Sequence, residues 1–301
     1  MKDIIISNIA EQKISLPLLI EKNIQLSALR LDKIHPVISG NKWFKLRYYI
    51  EEAKQQRKNT IIGFGGAWSN HIIAIAAACK INGLNSIGII RGEEPENYSA
   101  TLAQAKQLGM QLVFISRADY GIKKNSDELN NDKYYFINEG GYGVKGAAGA
   151  ATILDYCKKE NYNHVCCAAG TGTMMAGLIN SALSFQEIIG INVLKNNFES
   201  DSYRMEKKVK FLLNDQEKPF QIFHDYHFGG YAKYKTELIE FMNEFYRQTM
   251  IPSDFVYTGK LFYAVSDLIK NNFFPTGSNL LLIHSGGLQG NASLRDGTLI
   301  F

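Results

Sequence analysis

The chain has 301 residues, 46% hydrophobic and 21% charged, a balance that excludes fibrous and disordered classes and allows a sizeable core in one or two domains. Its net charge is only +4, and the basic residues are dispersed apart from short clusters such as Lys207-Lys208, so no extended basic surface points to nucleic acid or an anionic membrane. Four cysteines, Cys79, Cys157, Cys166 and Cys167, lie among apolar neighbours without a C-x-x-C pair, which excludes a disulfide scaffold and fits a reducing compartment.

Met1-Lys2-Asp3 and the apolar run after them lack the long apolar core and cleavage site of a signal peptide. No stretch reaches the roughly 20 apolar residues of a membrane helix. The expectation is a soluble, cytoplasmic protein with a small-molecule partner. Ser39 to Leu46 opens a helix. Thr60 to Phe64 then reads as a strand before an Ala-rich helix over Ile72 to Lys80, and Ser86 to Ile90 as a strand before a helix over Ala100 to Leu108. Leu112 to Ile115 is a further strand, and 119–133, rich in Asp, Lys and Asn, reads as a loop. Strands follow at Tyr134 to Ile137, Asn163 to Ala168, Ile188 to Val193 and Leu280 to His284, with helices near 145–160, 172–184, 235–249 and 260–272. This alternation predicts βαβ units and a mostly parallel sheet. Strands buried on both faces account for the continuous apolar runs.

Glycines mark the ends of four strands: Gly65-Gly66, Gly140-Gly141, Gly170 with Gly172, and Gly286-Gly287. Any single pair is explained by turn-making. Their recurrence predicts a shared site, because ligands of open α/β sheets bind beyond the carboxyl ends of the strands. Ala169-Gly170-Thr171-Gly172-Thr173 joins a strand to a helix, and its N–H groups and threonine hydroxyls suit a phosphate monoester. A P-loop would need Gly-Lys-Ser/Thr at its end, and a dinucleotide fingerprint a third glycine two residues before Gly177. Lys42 and Lys45, three apart and interleaved with Trp43 and Phe44, would ordinarily be a solvated helix face. The flanking aromatics and the preceding Gly40-Asn41 suggest instead an enclosed amine able to form imines. Ser69-Asn70 before an apolar helix also serves as a helix cap. His224 and His227 lack a third ligand set, and no metal site is predicted.

Four motifs stand in order: Ser39-Gly40-Asn41-Lys42 with Lys45; Ser69-Asn70-His71 after Gly65-Gly66; Ala169 to Thr173; and Val256-Tyr257-Thr258-Gly259-Lys260 followed by His284-Ser285-Gly286-Gly287. Together they resemble the 1-aminocyclopropane-1-carboxylate deaminases and D-cysteine desulfhydrases, pyridoxal 5'-phosphate (PLP) enzymes of fold type II, the tryptophan-synthase-β-like fold. The resemblance implies two open α/β domains with the cofactor in the cleft between them. The larger, PLP-anchoring domain would take 1–50 and 141–301 and the smaller 51–140. It makes Lys42 the Schiff-base lysine and Lys45 a phosphate contact, with Ala169, Gly170, Thr171, Gly172 and Thr173 cradling the phosphate. Asn70 would meet the phenolic oxygen, and Ser69 the substrate carboxylate or the reacting carbon. Tyr257 and Tyr231 would orient substrate or shuttle protons.

Within this family, deaminases carry Glu after the motif tyrosine and Leu before the late Gly-Gly, whereas desulfhydrases carry hydroxyl residues. Thr258 and Ser285 stand at those cofactor-side positions and favour the desulfhydrase branch, with His71 following the same pattern. The expectation is α,β-elimination from a small amino acid, D-cysteine foremost, by a homodimer. The alternatives are 1-aminocyclopropane-1-carboxylate deamination or a non-catalytic PLP- or metabolite-binding relative. Trp68 replaces the family's usual Gln before Ser-Asn, and Ser39 its leading Gly.

Overall fold

The computed structural model describes residues 6–123, 133–195, 199–214 and 218–301. In chain order the elements are β1 (Glu11–Ile14), α1 (Pro17–Lys22), β2 (Gln25–Arg30), α2 (Asn41–Gln55), β3 (Thr60–Gly65), α3 (Asn70–Asn82), β4 (Asn85–Arg91), α4 (Ala100–Gln107), β5 (Met110–Ile115) and α5 (Arg117–Lys123). The second half continues with β6 (Tyr134–Ile137), α6 (Val144–Ala151), β7 (His164–Ala169), α7 (Thr173–Ser181), β8 (Glu187–Asn192), α8 (Glu199–Lys210), β9 (Phe220–Phe223), α9 (Thr236–Thr249), α10 (Thr258–Lys270) and β10 (Asn279–His284).

Two sheets result. One has six strands in the order β1-β2-β10-β7-β8-β9, and the other four in the order β5-β4-β3-β6. Every pairing is parallel except β1 with β2. The apolar strands of the larger sheet serve two cores because successive side chains point to opposite faces. Val165, Cys167 and Ala169 of β7, with Leu281 and Ile283 of β10, pack into one core with residues of α2, α6 and α7. Cys166, Ala168, Leu280 and Leu282 pack into the other, with Phe262, Val265 and Ile269 of α10.

The departures from expectation have local causes. Strand β1 is a partly exposed edge with polar residues, and β2 buries Ser27 and Arg30, so neither shows an apolar run. The helix expected near 145–160 stops at Ala151, where Thr152 turns its hydroxyl back to the Gly149 carbonyl at 2.8 Å. Residues 119–123 of the expected loop belong to α5, while 124–132, like Met1 to Asp3, lie outside the described residues.

Candidate active site

The carboxyl ends of β3, β7 and β10, the turn after β6 and the starts of α2, α3, α7 and α10 surround one cleft of about 1120 Å³. Gly66, Gly140, Gly170, Gly172, Gly286 and Gly287 all line it, so the four glycine-marked strand ends meet at one place.

The start of α2 is fixed against the end of β10. Gly40 N–H donates to the Leu31 carbonyl at 3.0 Å and Asn41 N–H to the Ser285 carbonyl at 3.1 Å. Gly40 has φ +63°, and a methyl group there would lie 1.8 Å from the Ser285 oxygen, so no side chain fits. This approach sets Lys42 at the cleft. Its Nζ donates to Asn41 Oδ1 at 2.7 Å and stands 5.9 Å from the centroid of the Tyr257 ring. Burial pushes the Lys42 amine down to about 8, against the pull of the Asp254 carboxylate. One turn on, Lys45 reaches the Gly140 carbonyl at 3.4 Å. Burial holds its amine well below the usual range, and the Lys42 charge acts the same way.

On the opposite wall Ser69 caps α3, accepting from Ile72 N–H at 3.3 Å, and its side chain also lines the cleft. Asn70 and His71 follow, 9% and 3% exposed. Asn70 Oδ1 and both His71 ring nitrogens are buried without a hydrogen bond of good geometry among the described residues. Burial, with the Lys42 and Lys45 charges nearby, drives the imidazole down to about 3, against an interaction with the Asn138 backbone that raises it. Between β7 and the first turn of α7, the Thr171 and Thr173 hydroxyls are paired at 2.9 Å. A methyl group on Gly170 would lie 3.3 Å from Tyr257 Cε1, so that ring adjoins both the loop and the Lys42 amine.

Tyr257 precedes α10 in an unusual conformation, φ −125° and ψ −69°, held by a buried carboxylate. Asp254 accepts from the backbone N–H of Val256 at 3.0 Å, Tyr257 at 2.7 Å and Thr258 at 3.0 Å, and from the Thr258 hydroxyl at 2.6 Å. Burial raises its pKa even so. Tyr231 meets Tyr257 edge-on, with ring centroids 6.3 Å apart. Burial raises both phenols, Tyr257 the further, so both are protonated at neutral pH.

Of the residues picked from the sequence, Lys42, Lys45, Ser69, Asn70, Gly170, Thr171, Gly172, Tyr231, Tyr257 and Ser285 all line the cleft, while Ala169 and Thr173 flank the loop just behind it. Thr258 is the exception. It is fully buried, and its hydroxyl is engaged with Asp254 rather than turned to the cleft. Sequence reasoning missed Asp254 itself. Its signal was an acidic residue a few positions ahead of a helix, where a carboxylate can accept from the backbone N–H groups that follow it. It also missed the buried chain behind Ser285, in which Arg30 grips Asp32 at 2.7 and 2.8 Å and His284 Nδ1 stands 3.4 Å from Asp32.

Comparison with known proteins agrees with this geometry. Residues 19–286 match the family model described as pyridoxal-phosphate dependent enzyme. A Thermotoga maritima protein named "putative 1-aminocyclopropane-1-carboxylate deaminase" is 30% identical over 87% of this chain and 88% of its own length. The Arabidopsis thaliana protein named bifunctional D-cysteine desulfhydrase/1-aminocyclopropane-1-carboxylate deaminase, mitochondrial, is 28% identical over 84% of this chain and 70% of its own. A solved structure described as an ACC deaminase homologue superposes with a TM-score of 0.80 at 25% identity, covering 94% of this chain and 90% of that one.

Proposed function

The chain belongs to the 1-aminocyclopropane-1-carboxylate deaminase/D-cysteine desulfhydrase family of PLP-dependent enzymes, and on that premise we propose that it catalyses α,β-elimination from a small amino acid, D-cysteine foremost, giving pyruvate, ammonia and sulfide. The observation that carries this reading is the Lys42 amine, lowered to about 8 and set 5.9 Å from the centre of the Tyr257 ring.

The residues fit the cofactor. An amine with a lowered pKa is available for the imine, the Gly170 to Thr173 loop and Lys45 offer donors to a phosphate, and Asn70 lines the cleft with a side-chain amide whose Nδ2–H group can donate to the phenolic oxygen. When bound, PLP supplies the electron sink that stabilises charge at the substrate Cα. The remaining tasks fall to the protein. Lys42 Nζ takes the Cα proton as general base, which a lowered pKa favours. Ser69 and the adjacent α3 N-terminus hold the substrate carboxylate. The protonated Tyr257 phenol, with Tyr231 beside it, hands a proton to the departing sulfur. Ser285 presents a neutral hydroxyl to the cleft where a deaminase would carry leucine.

The experiment is a panel of D-cysteine, L-cysteine, D-serine, β-chloro-D-alanine and 1-aminocyclopropane-1-carboxylate, following pyruvate, 2-oxobutyrate and sulfide. The expected result is a kcat/KM for D-cysteine above that for the cyclopropane substrate. A ratio below one moves the chain to the deaminase branch. Bound cofactor with no turnover of any substrate leaves a binding protein. We further propose that the enzyme is cytoplasmic and a homodimer; sedimentation at micromolar concentration tests the second point. No helix among the described residues is long and apolar enough to cross a membrane.

A further inference from the structure

Lys260, on the first turn of α10, is 0% exposed and does not line the cleft. Its ammonium donates away from the cleft, to the His227 carbonyl at 2.8 Å and the Gly230 carbonyl at 2.7 Å. A lysine is so deeply buried only when its charge and donors are matched, and Asp254, bonded to the start of the same helix, supplies the opposite charge. The segment it holds is unusual. Phe228, Gly229, Gly230 and Ala232 all have positive φ, at 52°, 96°, 117° and 52°. Left-handed conformations at residues other than glycine persist only where the surroundings impose them. Gly230 is also confined by packing, since a methyl group there would lie 2.9 Å from Lys195 Cβ. The Gly230 carbonyl belongs to the peptide unit leading directly into Tyr231. Lys260 therefore fixes the orientation of the peptide from which that side chain departs, while Tyr257, three residues earlier in sequence, meets its ring.

We infer that Lys260 is a positioning residue that, from behind the cleft wall, fixes the backbone presenting Tyr231 and so sets where that phenol stands against Tyr257. The consequence for turnover rests on the role given above to Tyr231; the consequence for the ring's position does not. A purely structural lysine would stabilise the whole fold without acting selectively on Tyr231.

The test uses full-length protein carrying 3-fluorotyrosine, with the Tyr231 fluorine resonance assigned by its loss in Tyr231→Phe. Lys260→Met, close in size and lacking donors, is expected to shift and broaden that resonance in the cofactor-free protein. PLP affinity should stay within about twofold, while kcat/KM falls about 10- to 100-fold, carried by kcat, as expected for a misplaced group. In a Tyr231→Ala background the same change should cost under about twofold more, because residues acting through one another are not additive. An unmoved Tyr231 resonance, or equal losses in both backgrounds, overturns the proposal. If Tyr231→Ala leaves turnover unchanged, the role of Tyr231 fails, and the fluorine signal alone decides that of Lys260. Should Lys260→Met not fold, Lys260→Gln, which keeps an amide donor, takes its place: a shifted Tyr231 resonance supports the proposal and an unmoved one overturns it.

Discussion

The two walls of the cleft treat their buried polar groups differently. On the α10 and β10 wall Asp254 accepts four hydrogen bonds, Lys260 donates to two carbonyls, and Arg30, Asp32 and His284 form a closed chain ending on the Pro252 carbonyl at 2.7 Å. On the α3 wall Asn70 Oδ1 and both His71 nitrogens are buried without a hydrogen bond of good geometry among the described residues. A buried polar group without a partner costs about 1–3 kcal/mol. A cleft that bears this cost on one wall only has a framework on the other wall, and we read the α3 wall as the one built for a ligand. Changes to the first wall should lower stability or shift the residues it holds, and changes to the second should change what it binds.

Lys42 stands where the walls meet and should give the largest effect. Lys42→Ala is expected to lower pyruvate formation by about 10³-fold or more, because it removes both the imine partner and the base. The visible absorbance of bound cofactor should vanish with little change in the urea midpoint. Borohydride reduction and peptide mapping should place the pyridoxyl label on Lys42. A label on Lys45 or Lys260 would break the assignment. The same amine sets a pH dependence. Only the neutral amine captures the cofactor, and its pKa is lowered to about 8. Capture followed by stopped-flow absorbance should rise about tenfold per pH unit below 8 and level off above it. A rise continuing to the ordinary lysine value of 10.5 would mean that burial does not govern this amine.

Asp254→Ala should show the framework wall most clearly. Three backbone N–H groups and the Thr258 hydroxyl lose their acceptor, so the loss of stability is expected at about 3 kcal/mol, read as a lower urea midpoint. Thr258→Glu, the exchange that would imitate a deaminase, should cost a comparable amount. It places a second carboxylate against Asp254 inside the protein, where like charges cannot both ionise. Ser285→Leu, at the cleft surface, should be milder. Asn70→Ala sharpens the contrast from the other side, with PLP affinity about tenfold weaker and the cofactor-free urea midpoint unchanged or higher. A fall in that midpoint as large as for Asp254→Ala would erase the distinction between the walls.

The cleft-lining residues were legible in the sequence, and most of the framework was not. Lys42, Asn70 and the Gly170 to Thr173 loop sit in short motifs beside glycines, because close approach of a ligand constrains several neighbouring residues at once. The strands β3, β7, β8 and β10 were legible for another reason: burial on both faces makes them continuously apolar. Asp254, Arg30, Asp32 and His284 work through partners far apart in the chain, and no spacing rule joins Asp32 to His284. Strand β2 escaped notice because Ser27 and Arg30 interrupt its apolar run, although both are buried. Thr258 shows the limit in reverse. Its position in a motif pointed to the cofactor, yet its hydroxyl turns to Asp254, a choice made by folding of the helix start rather than by the motif.

The smallest expected effect bears most directly on the difference between the walls. His71→Leu keeps approximately the volume of the side chain and removes two nitrogens that make no hydrogen bond of good geometry among the described residues. Where a buried polar group is unpaired, an apolar replacement of similar shape is neutral or stabilising. The cofactor-free protein should therefore gain about 1 kcal/mol, seen as a small rise in the urea midpoint. With its pKa driven to about 3, the imidazole is neutral from pH 6 to 8, so the gain should not vary across that range. A PLP-loaded protein should gain less, because a ligand that hydrogen-bonds the ring stabilises only the histidine form. If His71→Leu loses stability without cofactor, the ring is already satisfied in the empty cleft, and the α3 wall is framework like its opposite.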